Sequence, residues 1–168
     1  NPVKMLALIS NDALARAVAS PEWLHLYDLA IAGLDDARAA RNTWCAREHP
    51  LLASVSIAYF SAEFALHQSL PIYAGGLGVL AGDHCKEASD LGVPLIGVGF
   101  MYPQGYFHQS LTADGWEQEV YEKLNWTSAP VEPAITPDGK PCITAVPLGN
   151  RTVLVAVWRV RVGRVVLY

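Results

Sequence analysis

The first fifty residues carry apolar side chains at the spacing of amphipathic helices. A short helix is predicted from Asp12 to Ala19. A longer helix is predicted to begin at Ser20, which can cap it, with Pro21 in the first helical position. The apolar stripe of this longer helix consists of Trp23, Leu24, Leu26, Tyr27, Leu29, Ala30 and Leu34. Pro50 closes the region, so residues 1–50 are expected to form an amino-terminal helical segment.

The pattern changes after residue 50 to that of an α/β domain. Apolar, β-favouring residues from Ser54 to Phe60 predict a buried strand, and their continuous run favours a parallel pair. A helix is predicted from Leu77 to Leu91, ended by Gly92, and a second strand from Leu95 to Phe100. The apolar stripe of the helix includes Leu77, Leu80, Ala81, Cys85, Ala88 and Leu91. Together these elements predict a β-α-β unit.

In the last third of the chain the spacing of apolar and polar residues changes again. Asp114 to Asn125 is amphipathic and is predicted to be helical, and the proline-rich residues 127–141 contain a turn signal at Asp138-Gly139. The tail alternates between apolar runs and turns, which predicts a β-meander. Its strands are Cys142–Val146, Thr152–Arg161 and Arg164–Tyr168, with turns at Gly149-Asn150 and near Gly163. The pattern stops within a strand at Tyr168, so residues 51–168 are expected to be a truncated α/β domain of a longer protein.

Composition narrows the class of protein. Apolar residues make up 52% of the 168 residues and charged residues 17%, which is typical of a globular domain. A net charge of −4 without a basic run argues against nucleic-acid binding. The late arginines are expected on the solvent face of a strand pair; they are Arg151, Arg159, Arg161 and Arg164.

Cysteine usage and hydropathy bear on the compartment. Cys45, Cys85 and Cys142 lack C-x-x-C spacing, so the sequence predicts neither a zinc site nor a disulfide framework. No apolar stretch is long enough to span a bilayer, and the start lacks a signal-peptide pattern. We therefore expect a cytoplasmic location without a membrane partner or a bound metal.

The run Ala74-Gly75-Gly76-Leu77-Gly78, here called the glycine loop, lies between the first predicted strand and its helix. Glycine lacks a Cβ, so the backbone can approach a ligand closely. The first turn of a helix adds unpaired N–H groups and the positive end of the macrodipole, which together favour an anion, most often phosphate. Such a loop is also common as plain turn chemistry.

Further motifs surround the glycine loop. They are Ile57-Ala58-Tyr59-Phe60-Ser61-Ala62-Glu63-Phe64, Gly82-Asp83-His84, Ala88-Ser89-Asp90-Leu91-Gly92-Val93-Pro94, Gly97-Val98-Gly99-Phe100-Met101-Tyr102 and Gly105-Tyr106-Phe107-His108-Gln109. In this order and spacing, residues 56–126 resemble the α-glucan phosphorylase family, which includes the glycogen and starch phosphorylases. The likeness is greatest to its shorter bacterial branch.

The resemblance implies a two-domain glucosyltransferase of the GT-B type. This chain would be part of its amino-terminal Rossmann-like domain. The implied reaction is the phosphorolysis of a terminal α-1,4-linked glucose of an α-glucan by inorganic phosphate, which gives glucose 1-phosphate. The family uses pyridoxal phosphate, held by a lysine of the carboxyl-terminal domain, expected beyond Tyr168. A homo-oligomer of the protein stays open, since the sequence does not reveal the oligomeric state.

The lysines of this chain match no cofactor motif of the family; they are Lys4, Lys86, Lys123 and Lys140. The resemblance therefore implies that this chain holds no catalytic residue of its own and is inactive alone.

The resemblance also assigns site residues. Gly75, Gly76, Leu77 and Gly78 match the family loop that touches the substrate phosphate and the glucosyl ring. Glu63 matches a strand-end position, where a carboxylate could orient a basic group or a loop, or be an ordinary paired carboxylate. His84 is the other candidate cleft residue beside Glu63, although a histidine in this position is more often structural. Ala74 and Val79 stand where larger family members usually have Asn and Arg.

Two alternative functions stay open. Glycogen and starch synthases carry Lys-x-Gly-Gly-Leu-Gly-Asp near their start, whereas here Tyr73 stands two residues before Gly75 and Val79 follows Gly78. The other alternative is a non-catalytic glucan-binding module with a phosphorylase-like fold. A second domain with a Schiff-base lysine would separate this module from the enzyme.

Overall fold

The computed structural model describes residues 2–125 and 129–168. Within these residues the helices are α1 Pro2–Leu8, α2 Asn11–Val18, α3 Pro21–Ala39, α4 Trp44–Glu48 and α5 Gly76–Leu91, with a 3₁₀ helix at Pro50–Ser54. The strands are β1 Ile57–Phe60, β2 Leu95–Val98, β3 Gln104–Leu111, β4 Glu117–Lys123, β5 Glu132–Pro133, β6 Ile143–Leu148, β7 Arg151–Ala156, β8 Trp158–Val162 and β9 Val165–Leu167. The expected α/β class is confirmed. The start of the proline-rich segment and Trp126, the end of the resembling stretch, lie outside the described residues.

The predicted amino-terminal helices α2 and α3 are confirmed to within a residue of their predicted starts. The hydroxyl of Ser20 accepts the Trp23 N–H at 3.3 Å, so Ser20 caps α3 as expected, with Pro21 next to it. None of the residues of α2 or α3 is buried. The predicted apolar stripe of α3 therefore lies on the surface of this chain, where Trp23 and Tyr27 stack with ring centroids 5.5 Å apart.

The main sheet has five strands in the order β1-β2-β9-β8-β5. β1 and β2 are parallel and are joined through α5, which confirms the β-α-β unit. The prediction that the first strand is buried was wrong. β1 is shorter than predicted because the 3₁₀ helix takes up Pro50–Ser54, and it is exposed at three of its four residues because it is the edge strand.

Helix α5 packs its small residues on the sheet. Its buried positions follow the i, i+3, i+4, i+7 spacing of one helix face; they are Gly78, Ala81, Gly82, Cys85, Ala88 and Ser89. Leu77 and Leu80 were predicted on this face but are 52% and 65% exposed. The helix ends at Gly92, whose φ of 72° lies in the left-handed region, as predicted.

The prediction of a helix from Asp114 to Asn125 was wrong. β4 pairs instead with β3 as an antiparallel hairpin, in which Phe107 lies opposite Tyr121 with ring centroids 5.7 Å apart. The connecting turn is closed by the Gly115 N–H, which donates to the Thr112 carbonyl at 2.9 Å, and Gly115 has a φ of 85°. The cross-strand pairs with β3, which are non-local, decide the structure of this segment.

The predicted β-meander was wrong as a single sheet, although its turns were right. β6 and β7 form a separate hairpin across Gly149-Asn150, whereas β8 and β9 form a hairpin in the main sheet. The predicted strand from Thr152 to Arg161 is broken at Val157, which exchanges hydrogen bonds with Cys142 and Ala134. β9 then runs parallel to β2. The turn predicted at Asp138-Gly139 is present, with Gly139 at a φ of 82°.

Arg164 departs from its expected place on a solvent-exposed strand face. It is half-buried, and its guanidinium donates to the Ser89 carbonyl at 2.9 Å, the Ala40 carbonyl at 3.2 Å and the Ala37 carbonyl. These carbonyls lie at the carboxyl-terminal ends of α5 and α3, where the last turns leave acceptors unpaired and a cation is favoured. Arg164 thus ties the turn before β9 to the ends of both α3 and α5.

Candidate functional site

The glycine loop lies at the carboxyl edge of the parallel strands. β1 ends at Phe60 and β2 at Val98, and in the connection between them the glycine loop runs into the first turn of α5, which begins at Gly76. Ligands of open α/β sheets bind at this edge, because the helix amino termini converge there. The position is therefore the one that the sequence pattern predicted for an anion-binding loop.

The segment 61–65, which follows β1, is hydrogen-bonded to the glycine loop and to the residues just before it. The Phe64 N–H donates to the Ile72 carbonyl at 3.1 Å, and the Ala65 N–H donates to the Gly78 carbonyl at 2.8 Å. These bonds join the segment both to the approach of the loop and to the first turn of α5. The relative position of segment and loop is therefore fixed by backbone hydrogen bonds.

Glu63 is brought into this site. Its Oε2 accepts the N–H of Gly75 at 3.0 Å and also the N–H of Ala74. Among the ion pairs of the described residues none involves Glu63. Of the alternatives that the sequence left open for Glu63, the structure therefore shows contact with the loop rather than with a basic group.

The glycines of the loop differ in the space around them. A Cβ at Gly78 would lie 2.6 Å from Tyr73 Cβ and 2.9 Å from Glu63 Oε2. At Gly75 and Gly76 a Cβ would meet no atom of the described residues within 4 Å. Gly78 is thus required by packing, whereas Gly75 and Gly76 face open space that a ligand could occupy.

The unused N–H groups define what the loop can bind. Val79 donates its N–H to the Gly75 carbonyl at 3.2 Å, but no backbone bond to a described residue uses the N–H of Gly76, Leu77 or Gly78. These groups begin a helix of 16 residues, so its macrodipole adds to them. Because Gly78 is buried, the exposed Gly76 and Leu77 offer the donors that an anion can reach. Such donors orient anionic oxygens and cannot supply a proton.

One cavity borders the glycine loop, and a larger one lies apart from it. A cavity of about 190 Å³ adjoins the glycine loop and is lined by Glu63, Pro71, Tyr73, Ala74, Tyr102, Gln104 and Gly105. The Tyr102 hydroxyl closes one side by donating to the Ala62 carbonyl at 2.9 Å. A larger apolar cavity of about 440 Å³ lies over the ends of β2 and β9 and includes Phe64, Met101 and Trp158.

His84 does not join these residues. It follows Gly76 by eight residues, about 12 Å along the axis of α5. Its exposed ring packs edge-on against Tyr59, with centroids 4.6 Å apart, and His84 is absent from the lining of both cavities described above. The structure thus gives His84 an aromatic packing contact on β1.

The described residues do not provide a place for the pyridoxal phosphate aldehyde. Lys86 and Lys140 lie at the surface beside Asp83 and Asp138, at 3.9 Å and 3.0 Å. No lysine lines either cavity in the part of the chain that the structure describes. A Schiff-base lysine needs a sheltered position to lose its proton near neutral pH, and among the described residues no lysine at either cavity meets this requirement.

The same residues hold neither a metal cluster nor a membrane span. In the described ranges, groups of three or more His, Cys, Asp and Glu side chains that could bind a metal do not occur. No helix within these ranges has the length and apolar character needed to cross a membrane.

Tyr73 and Gln104 are site residues that the sequence analysis did not identify. Tyr73 packs its Cβ against Gly78, and Gln104 begins β3, which brings it to the small cavity. Tyr73 had a local signal, because it immediately precedes the glycine loop. Gln104 had none, since only the pairing of β3 and β4 fixes its place.

Comparisons with known proteins bear on the family. A family model described as a protein of unknown function, DUF3417, matches residues 1–70. A maltodextrin phosphorylase of Thermococcus litoralis is 40% identical over 100% of this chain and 20% of the relative. A glycogen phosphorylase of Mycobacterium tuberculosis is 42% identical over 99% of this chain and 20% of the relative. One of Aquifex aeolicus is 47% identical over 67% of this chain and 16% of the relative.

The resemblance predicted from the motifs is thereby confirmed. The chain spans about a fifth of the length of the curated relatives that it matches.

Proposed function

We propose that this chain, a homologue of members of the α-glucan phosphorylase family along its whole length, forms part of a glucosyltransferase that cleaves α-glucans with inorganic phosphate. The reaction transfers a terminal α-1,4-linked glucosyl unit to phosphate and yields glucose 1-phosphate. The names of the relatives, which are glycogen and maltodextrin phosphorylases, support this reaction class.

The observation that carries the proposal is the open amino terminus of α5. The N–H groups of Gly76 and Leu77 are bonded to no backbone carbonyl of the described residues, and a Cβ at Gly76 would meet no described atom within 4 Å. They lie beside the carboxyl edge of the parallel strands, where ligands of such sheets bind. In the proposed reaction these donors orient the oxygens of the substrate phosphate. The helix macrodipole adds about 0.3–1 kcal/mol at the surface and about 2 kcal/mol when the anion is partly buried.

The proton chemistry of the reaction is assigned outside this chain. Pyridoxal phosphate, when bound to the longer protein, supplies a phosphate group for proton transfer, and its lysine is proposed to lie beyond Tyr168. The residues described above then bind and orient, so the 168-residue chain alone is proposed to be inactive. A cytoplasmic location and assembly as a homo-oligomer are part of the same proposal.

The experiment compares the two kinds of glucosyl transfer directly. The longest polypeptide that the gene encodes, loaded with pyridoxal phosphate, is incubated with maltodextrin and inorganic phosphate, or with a nucleotide-activated glucose and maltodextrin. Glucose 1-phosphate formed only with inorganic phosphate supports the proposal. Chain elongation from the nucleotide sugar would establish the synthase, and glucan binding without either reaction would establish the binding module.

A further inference from the structure

Helix α5 begins without a side-chain cap of its own. Its capping residue is Gly75, which has no side chain to accept the N–H groups of the first turn. Glu63, twelve residues before Gly75, binds the two N–H groups that lie just before the helix, since its Oε2 accepts those of Ala74 and Gly75. A carboxylate at this end of a helix is also favoured by the macrodipole.

Glu63 is itself held in place from both sides. The Ser61 hydroxyl donates to the Glu63 carbonyl at 2.8 Å and accepts the Glu63 N–H at 3.4 Å. Immediately after it, the backbone N–H groups of Phe64 and Ala65 donate to Ile72 and Gly78. The carboxylate therefore projects from a segment that is hydrogen-bonded to both sides of the glycine loop.

The contact divides the N–H groups of the loop into two sets. The groups of Ala74 and Gly75 are used by Glu63, whereas those of Gly76 and Leu77 are bonded to no backbone carbonyl in the described part of the chain. The carboxylate also fills the space beside Gly78, where a Cβ would lie 2.9 Å from its Oε2. An anion is thus directed toward the second set.

We propose that Glu63 is a positioning residue: its carboxylate holds the glycine loop in one shape and reserves the N–H groups of Gly76 and Leu77 for the substrate phosphate. This inference rests on the proposed function for the identity of the anion. The holding of the loop by Glu63 can be tested without it.

Two substitutions of Glu63 separate geometry from charge. Glu63→Ala removes the acceptor, whereas Glu63→Gln removes the charge and exchanges one carboxylate oxygen for an NH2 group, but keeps one oxygen that can accept both N–H groups. The matched control is Glu87→Ala, since Glu87 is an exposed glutamate on α5, the helix that the glycine loop begins. All variants are made in the longest polypeptide that the gene encodes, with pyridoxal phosphate bound.

The first measurement is hydrogen–deuterium exchange of the peptide that contains residues 73–79. In Glu63→Ala the N–H groups of Ala74 and Gly75 lose their acceptor, so their exchange is expected to become about tenfold faster. Glu63→Gln and Glu87→Ala are expected to exchange within about threefold of the wild type. Unchanged exchange in Glu63→Ala would overturn the proposal.

The second measurement is the KM for inorganic phosphate in the direction of phosphorolysis. Glu63→Ala is expected to raise this KM about tenfold, with kcat changed by less than about threefold, because the loop binds the anion before the reaction. Rescue of the KM by Glu63→Gln is the expected result for a positioning role. A loss of kcat alone, an unchanged KM despite faster exchange, or a Glu63→Gln variant as poor as Glu63→Ala would each overturn it.

The two measurements distinguish a failure of the proposed function from a failure of the proposed role of Glu63. A wild-type protein that forms no glucose 1-phosphate would refute the proposed function. The exchange data would still decide whether Glu63 holds the loop.

Discussion

Alanine substitutions at three glycines of α5 distinguish a glycine that borders open ligand space from glycines that tight packing requires. A Cβ at Gly76 meets no described atom within 4 Å, whereas at Gly78 it would lie 2.6 Å from Tyr73 Cβ. At Gly82 it would lie 2.1 Å from the Ala65 carbonyl oxygen, which belongs to the backbone. The three substitutions add the same methyl group to the same helix, so their differences report on its surroundings.

The expected free energies follow from two opposing effects. Replacing Gly by Ala within a helix stabilises it by about 1 kcal/mol, and less at its first residue. Overpacking a filled site costs about 1–3 kcal/mol, and more when backbone must move. We therefore expect Gly76→Ala to be neutral or stabilising by up to about 1 kcal/mol, and Gly78→Ala to destabilise by up to about 2 kcal/mol. Gly82→Ala should cost about 3 kcal/mol or more.

The assay combines thermal unfolding with the KM for phosphate, again in the longest polypeptide that the gene encodes. The unfolding midpoint should be unchanged or higher in Gly76→Ala, lower in Gly78→Ala and lowest in Gly82→Ala. Gly76→Ala should nevertheless raise the KM for phosphate, because its methyl group enters the ligand space. The reasoning is refuted if Gly76→Ala unfolds as early as Gly78→Ala, or if Gly82→Ala is as stable as the wild type.

Three further predictions concern contacts away from the loop. Arg164→Met removes hydrogen bonds to the carboxyl-terminal carbonyls of α3 and α5, so it should lower stability by about 1.5–3 kcal/mol and speed proteolysis after α3; an unchanged cleavage rate would contradict this. Burial raises the pKa of the Cys85 thiol, so iodoacetamide at pH 8 should modify half-buried Cys142 first; equal rates would contradict this. The Thr136 hydroxyl bound to Asp138 lowers the pKa of that carboxyl, so this turn should loosen only as pH falls below the ordinary carboxyl pKa. Carbon NMR titration should show a higher pKa of Asp138 in Thr136→Val.

Local signals in the sequence were sufficient for the elements that local chemistry determines. Ser20 and Pro21 mark the start of α3, and Gly92 marks the end of α5, because caps act within one turn of a helix. The hairpin turn at Gly149 follows the same logic, since its φ of 60° favours glycine. These features needed no knowledge of distant residues.

Non-local pairing explains the elements that the sequence analysis missed. The segment Glu117–Lys123 has a polar and apolar pattern that suits a helix or a strand, and only its partner β3 decides between them. The strand predicted from Thr152 to Arg161 changes sheet at Val157, which depends on bonds to Ala134 and Cys142. Periodicity along the chain does not contain this information.

The candidate site also combines features set by local sequence with features set by contacts between distant residues. The glycine loop was predictable because its residues are contiguous and include the start of a helix. The contact of Glu63 with Ala74 and Gly75 was not predictable in detail, because it spans an irregular connection of a dozen residues. The role of Arg164 was missed because a strand pattern says nothing about helix ends that pack beside the strand.

The central claim is that the glycine loop binds the phosphate that cleaves a glucan. It is tested most directly by the release of glucose 1-phosphate from maltodextrin and inorganic phosphate, comparing the wild-type longest polypeptide with Gly76→Val. Because Gly76 faces open space, the variant should fold and retain its unfolding midpoint. The account predicts phosphate-dependent release by the wild type and a collapse of that release in the variant. No release from a folded, cofactor-loaded wild type, or full activity in Gly76→Val, would contradict it.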